Sequence, residues 1–129
     1  MKEPKWLLPE LIVAIQKMVL AEHGGEAGVR DDKLFESALN RPKQKYHYEP
    51  SSSLFDLAAA YSYGLAKNHA FIDGNKRIAL LAGLVFLEIN HVDFDAPEAE
   101  ATIAFEELAT GTFSESELSH WFELHSRKA

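Results

Sequence analysis

The feature that most constrains the fold is an uninterrupted apolar run, Ile78 to Leu87, near the middle of the chain. A helix from Asn75 to Asn90 that contains this run has apolar side chains almost all round, which is typical of a helix buried on every side. The run is much shorter than the roughly 20 apolar residues that a membrane-spanning helix needs. We therefore expect a central helix that is surrounded by other helices.

Apolar residues at three- and four-residue steps, together with capping residues, predict further helices on both sides of this run. The expected ranges are 9–22, 33–40, 54–67 and 96–109, followed by a last helix that Ser114 and Glu117 begin as a capping box. The fold class that these patterns predict is all-α, a bundle of about six helices around the buried central helix.

Residues 41–53, RPKQKYHYEPSSS, lack a helical period and are predicted to be irregular. Pro42 is expected to end the helix over 33–40, and the serine cluster marks the start of the next helix. We interpret this segment as an exposed loop or short hairpin and call it the flap.

Composition limits the class of protein. A chain of 129 residues with 47% hydrophobic residues is expected to form a single domain over residues 1–129. The formal net charge of -7 argues against a protein that grips nucleic acid, because that requires clustered Lys and Arg. With no cysteine and no apolar signal segment after Met1, we expect a cytoplasmic protein that has no membrane partner.

The chemistry-bearing stretch comes directly before the apolar run and reads HAFIDGNKR from His69 to Arg77. Histidine exchanges protons near neutral pH, so His69 is a candidate general base toward an attacking hydroxyl. Asp73 offers an oxygen ligand suited to Mg²⁺, which normally binds one or two carboxylates together with substrate phosphates. Gly74 lets the backbone approach a ligand closely, at the mouth of a helix whose first amides favour an anion.

The remaining polar residues of the stretch suit a phosphate group. Arg77 can grip phosphate with two hydrogen bonds while Lys76 acts as a mobile point charge. Asn75 is expected to orient either the loop or a phosphate oxygen. Together these residues suggest phosphoryl or nucleotidyl transfer.

Each of these residues also has a plain structural interpretation. A single histidine, an Asp-Gly turn or a charged helix start usually has no catalytic role, and only their combination ahead of an apolar helix favours function. The six histidines show no close-spaced ligand pair for zinc, and no G-x-x-x-x-G-K-[ST] phosphate loop occurs. Tyr46, Tyr48 and Tyr63 could contact a substrate, but the favoured interpretation is that they are amphipathic residues of the surface or of a helix.

The stretch HAFIDGNKR resembles the signature of the Fic/Doc superfamily, and most closely that of the death-on-curing (Doc) toxins. The resemblance extends over GGEAGVRDDKLFESALNRP, RIALLAGLVFLEIN and LATGTFSESELSHWF, and so over nearly the whole chain. It implies a Fic/Doc-type helical domain that binds ATP with Mg²⁺ and a flap that docks a target segment as an added strand. The roles it implies are catalytic base for His69, metal ligand for Asp73, phosphate binding for Gly74, Asn75, Lys76 and Arg77, and target docking for Tyr46, His47 and Tyr48.

The resemblance implies two chemistries that composition alone does not separate. Doc toxins transfer the γ-phosphate of ATP to elongation factor Tu and block translation, whereas Fic enzymes transfer AMP to a target hydroxyl. Lys76 lies where many adenylylating members carry glycine, and a long cation there favours the kinase. Gly74, where Doc proper tends to have alanine, weakens that distinction. A third hypothesis, from another class, is a non-catalytic module that only binds a peptide.

The resemblance also implies a partner. Fic proteins are restrained by a glutamate in a Ser/Thr-x-x-x-Glu-Gly/Asn helix, and Thr102 to Glu107 comes nearest to that pattern without completing it. We therefore expect restraint from outside the chain, by a cognate antitoxin whose C-terminal segment folds onto the toxin.

Overall fold

A computed structural model of the protein describes residues 2–128. Within that range lie six helices and two short strands. In chain order they are α1 (Pro9–His23), α2 (Asp32–Tyr48), α3 (Leu54–Asn68), α4 (Asn75–Ile89), β1 (Val92–Phe94), α5 (Glu98–Thr110), α6 (Glu115–Leu124) and β2 (Ser126–Lys128). The predicted all-α class is confirmed. None of the described helices is long and apolar enough to cross a membrane.

The two strands form a small antiparallel pair between the segment after α4 and the segment after α6. Val92 lies opposite Lys128, and Phe94 lies opposite Ser126. The ring of Phe94 packs against Trp121 and Phe122 of α6 at centroid distances of 5.1 and 5.9 Å. This pair therefore attaches the segment after α4 to the last helix.

The core is built around α3 and α4, which pack directly on each other. No residue of α4 from Ile78 to Leu87 is exposed, so the expected central helix is confirmed. Gly83 lets the two helices approach closely, because a Cβ at that position would lie 2.3 Å from Ser62 Oγ and 3.1 Å from the carbonyl oxygen of Ala58. Helices α2, α5 and α6 also pack against α3, while α1 packs on α4.

Two capping boxes begin α3 and α6, as the sequence predicts. Ser53 Oγ accepts a hydrogen bond from Asp56 N while the Asp56 carboxylate accepts one from Ser53 N. Ser114 and Glu117 form the same reciprocal pair. These caps satisfy amides that the first turn of a helix leaves without an intrahelical acceptor.

The prediction of a flap over 41–53 is wrong for residues 41–48, because these residues continue helix α2. Pro42 lies inside the helix with its ring buried, and only residues 49–53 connect α2 to α3. Contacts with distant residues favour the extension: Arg41 and Lys45 pair with Glu115 of α6. Tertiary contacts therefore outweigh the local cost of one hydrogen bond that proline cannot donate.

Candidate active site

The stretch His69–Arg77 forms the turn between the two central helices. His69 follows the end of α3 in the left-handed conformation, with φ 48° and ψ 50°, and Gly74 precedes α4 with φ 83°. A non-glycine residue with positive φ is uncommon and persists where its surroundings hold it. The side chain of His69 is exposed at this position.

Arg30 holds the main chain of His69. The Arg30 guanidinium donates from Nε and Nη2 to the His69 carbonyl oxygen, at 3.0 and 2.7 Å. The backbone amides of Arg30 and Asp31 donate to the carbonyl oxygen of Ala70, at 2.7 and 3.2 Å. The segment before α2 therefore fixes the backbone from which the histidine projects.

Asn75 and Phe71 lock the middle of the turn. Asn75 Oδ1 accepts a hydrogen bond from Phe71 N at 3.0 Å, and Asn75 Nδ2 donates to the Phe71 carbonyl oxygen at 2.8 Å. The ring of Phe71 is buried against Phe35, with centroids 5.1 Å apart. Of the two roles expected for Asn75, the structure shows the one that orients the loop.

Asp73 is held at its carboxylate and at its carbonyl group. Its Oδ2 accepts a hydrogen bond from Glu26 N at 2.7 Å, and its carbonyl oxygen accepts one from Gln16 Nε2 at 3.1 Å. Gln16 is fully buried and also pairs with both backbone groups of Gly28. The sequence analysis missed Gln16, although a polar residue between Ile15 and Val19 on the buried face of α1 was a usable signal.

The Asp73 site fits a magnesium ion that takes most of its ligands from substrate and water. No cluster of three or more metal-binding side chains occurs in the described part of the chain, so an ion at Asp73 would take most of its ligands from substrate and water. Mg²⁺ commonly binds in this way beside substrate phosphates. The Oδ1 atom of Asp73 accepts no hydrogen bond from the described residues and is therefore available as the ligand atom.

The start of α4 is suited to an anion. The helix begins with the hydrogen bond from Ile78 N to the Gly74 carbonyl oxygen and has no acidic residue in its first turn. The first amides of a helix point outward without intrahelical acceptors, and the helix dipole adds positive potential there. The exposed side chains of Lys76 and Arg77 add two cations at the same place.

These groups line one cavity of about 520 Å³. The motif supplies His69 and residues 72–77, α1 supplies Val19 and His23, and α5 supplies Ala101, Thr102 and Glu106. The volume lies within the range of pockets that hold small molecules, about 300–1,000 Å³. The structure therefore brings His69, Asp73, Gly74, Asn75, Lys76 and Arg77 together around one cavity.

The expected docking residues of the flap lie elsewhere. Tyr46, His47 and Tyr48 line a separate cleft near the chain start, together with Trp6. The segment that lies along the motif is 24–31, where Val29 forms an isolated bridge with Phe71. No role in the site was predicted for that segment from the sequence.

The fold and the site together define an all-helical protein with a helix start that is suited to an anion, next to an exposed histidine. The model of the Fic/DOC family matches residues 6–87, so the chain belongs to the Fic/Doc family. Its relatives include "Protein kinase doc" of Escherichia phage P1, 35% identical over 113 residues, which are 86% of this chain and 87% of that protein. "Toxin Doc" of Mycolicibacterium smegmatis is 46% identical over 82 residues, 60% of this chain and 63% of that protein.

Proposed function

We propose that this chain is the toxin of a toxin-antitoxin pair and transfers the γ-phosphate of ATP to a Ser/Thr hydroxyl of a translation factor similar to elongation factor Tu. The observation that carries the proposal is that His69 and the start of α4 line one cavity. The names of the two relatives, a toxin and a protein kinase, support the same class of activity.

In the proposed reaction, His69 accepts the proton of the acceptor hydroxyl as its oxygen attacks the γ-phosphorus. A new bond forms between that oxygen and phosphorus, and the bond from phosphorus to the bridging oxygen of the β-phosphate breaks. ADP leaves with the electron pair of that bond. The transferring group carries negative charge throughout, so catalysis depends on positioning and on nearby positive charge.

Other residues of the turn position the nucleotide. The first amides of α4, with Lys76 and Arg77, bind the phosphates and balance their charge. Asp73 would hold Mg²⁺, which would supply additional positive charge beside the phosphates. The contacts of Gln16 and Glu26 keep Asp73 in place for that role.

Transfer of AMP by the same residues is the second candidate. It differs in that the α-phosphorus is attacked and pyrophosphate leaves. Lys76 favours the kinase, because its long side chain occupies the start of α4 where a nucleotide in the adenylylating orientation needs space. Incubation of the chain with elongation factor Tu and ATP labelled at either the α or the γ position separates the two chemistries.

A non-catalytic binding module is the third candidate. It would bind a neighbouring antitoxin segment without using ATP. Calorimetric titration with ATP and Mg²⁺ separates it from both enzymes, since only the enzymes require nucleotide binding. We also propose that residues 1–129 form one domain, that the chain acts in the cytoplasm, and that a C-terminal antitoxin segment restrains it.

The role of His69 leads to a direct prediction. Replacing His69 with alanine should reduce transfer by roughly 10²–10⁴-fold, the usual contribution of a general base. Calorimetry should show nucleotide binding unchanged, because the phosphate contacts remain. His125→Ala, which removes a histidine outside the cavity, serves as the control. Wild-type transfer rates in the His69 variant would contradict the proposed mechanism.

A further inference from the structure

A second cleft adjoins the candidate active site at His69. Its volume is about 270 Å³, and it lies between the end of α3 and the turn from α5 to α6. Tyr63, Ala66, Lys67, His69, Leu108, Thr110 and Gly111 line it. His69 is the residue that this lining has in common with the larger cavity.

The sizes of the two cavities suit different ligands. The larger one, at about 520 Å³, can hold a nucleotide, whereas the smaller one, at about 270 Å³, falls below the usual range for small-molecule pockets. In an in-line transfer the acceptor oxygen must reach both the base and the phosphorus, so the acceptor enters on the side of the phosphorus opposite the leaving group. The smaller cleft at His69 offers such an entry for one acceptor side chain and its neighbouring residues.

The lining of the second cleft indicates the charge of its ligand. The chain has 20 acidic residues, yet none of those whose side chains the structure describes lines the cleft. The Lys67 ammonium lies 5.5 Å from the centroid of the Tyr63 ring and, within residues 2–128 as described, forms no ion pair. The Arg41 guanidinium lies 5.1 Å from the same ring centroid. A segment that carries a carboxylate would therefore find an accessible cation at Lys67.

We propose that this cleft is the acceptor site: it binds the hydroxyl-bearing segment of the protein target, with the hydroxyl directed at His69 and an acidic neighbour paired with Lys67. The proposal rests on the proposed function, because it assigns the second substrate of that reaction. It places the acceptor at the end of α3 and not at the α2 residues Tyr46 to Tyr48.

The first test is binding, which needs no catalysis. The probes are two blocked tripeptides, Asp-Thr-Asp and Lys-Thr-Lys, titrated into the labelled full chain and followed by amide chemical shifts. The acidic peptide should shift the amides of residues 66–67 and 110–111, and the basic peptide should not. Lys67→Glu should reverse this preference. Equal shifts for both peptides, or shifts confined to other residues, would overturn the proposal.

The second test is kinetic and uses elongation factor Tu with labelled ATP. Lys67→Glu and Ala66→Leu, which fills the cleft, should each raise KM for the protein acceptor at least tenfold and leave the Kd for ATP within twofold of wild type. Lys43→Glu and Ala14→Leu are matched controls on exposed positions outside the cleft. An unchanged KM in both cleft variants, an equal rise in Lys43→Glu, or a parallel loss of ATP affinity would count against the acceptor site.

The two tests separate the proposals. If the wild-type chain binds ATP but labels no protein, the proposed transfer fails, while the peptide titration still decides whether the cleft selects an acidic, hydroxyl-bearing segment. If labelling occurs and the cleft variants behave as wild type, only the acceptor site is refuted.

Discussion

Gln16 shows how one buried polar residue can serve a site that it does not line. Its amide group has no exposed surface and makes three hydrogen bonds, two with Gly28 and one to the Asp73 carbonyl oxygen. These bonds connect α1, the segment 24–31 and the candidate metal ligand. Buried polar groups are costly unless they are paired, so the position of Asp73 is coupled to the packing of α1.

Replacing Gln16 with leucine should affect both stability and metal use. The free energy of unfolding should fall by about 1–3 kcal/mol, because backbone groups of Gly28 and Asp73 lose their partners. The Mg²⁺ concentration that half-saturates transfer should rise roughly tenfold, as is typical when an outer-shell contact is lost. Urea unfolding and a Mg²⁺ titration of the transfer rate measure the two effects.

Ser62→Ala is the control for this prediction. Ser62 Oγ is buried and has no hydrogen-bond partner among the described residues, so its removal should change stability little and leave the Mg²⁺ dependence as in wild type. A Gln16 variant that loses stability but keeps the wild-type Mg²⁺ dependence would mean that Gln16 supports only the fold.

At the scale of elements, local sequence patterns predicted the starts of the helices well but predicted the end of α2 wrongly. The caps at Ser53 and Ser114 depend on residues three apart, so a short window of sequence contains the whole signal. The end of α2 depends on Glu115, which is 74 residues from Arg41 in the chain. Pro42 predicts a helix end locally, and only the folded α6 provides the contacts that overrule it.

Gly83 sets the distance between α3 and α4, which places His69 next to the α4 start. Gly83→Ala should destabilise the protein by about 1–3 kcal/mol, the usual cost of overpacking, because the new Cβ meets Ser62 Oγ, Phe122 and the backbone at Ala58. Gly64→Ala is the matched control, since the closest contact of its new Cβ is a side-chain carbon of Arg41 at 3.1 Å. Thermal unfolding compares the two. Equal melting temperatures for both variants would contradict the close approach at Gly83.

Asp56 links the cap of α3 to α6 and should make stability depend on acid pH. Burial raises the pKa of Asp56, but hydrogen bonds from Ser119 and Ser53, together with nearby Lys45, outweigh burial and lower this pKa below its ordinary value of 3.8. Because the folded-state pKa is lowered, the stabilisation by the Asp56 carboxylate is complete at pH values above 3.8. This stabilisation is lost as the pH falls through the folded-state pKa.

The variant Asp56→Asn tests this dependence. It should be less stable than wild type by about 1 kcal/mol at neutral pH, because the amide nitrogen cannot accept a hydrogen bond as the lost oxygen did. The difference should shrink as the pH falls below 3.8, where the wild-type carboxylate gains its proton. Urea unfolding at neutral and acid pH measures it. A stability difference that stays constant between neutral and acid pH would contradict a lowered pKa for Asp56.

At the scale of the whole molecule, the class and the central helix were predicted correctly from the sequence, and the predicted motif residues lie around one cavity. These depend on residues close together in the chain, from His69 to Leu87. The sequence did not predict the loop 24–31 beside the motif, because the contacts of Arg30 with His69 and of Glu26 with Asp73 join residues far apart in sequence. The site is therefore a local motif held by long-range contacts.

Helix α5 packs outside the α3–α4 core and supplies part of the cavity wall. It packs on α3 and α4, with Ala104 and Leu108 buried, and it supplies Thr102 and Glu106 to the cavity wall. A nucleotide in the cavity would therefore contact both the core and this outer helix. Since α5 buries fewer residues than α3, its amides should exchange through local opening rather than through global unfolding.

ATP with Mg²⁺ should slow hydrogen exchange in residues 98–110 more than in the core of α3, because the ligand holds α5 against the motif. Mass spectrometry of exchange with and without nucleotide measures the difference. His69→Ala should retain the protection, since the base is not needed for binding. Lys76→Ala should reduce it, since a phosphate contact is lost. Protection that centres on residues 41–48 would place the nucleotide at the end of α2 and contradict the candidate site.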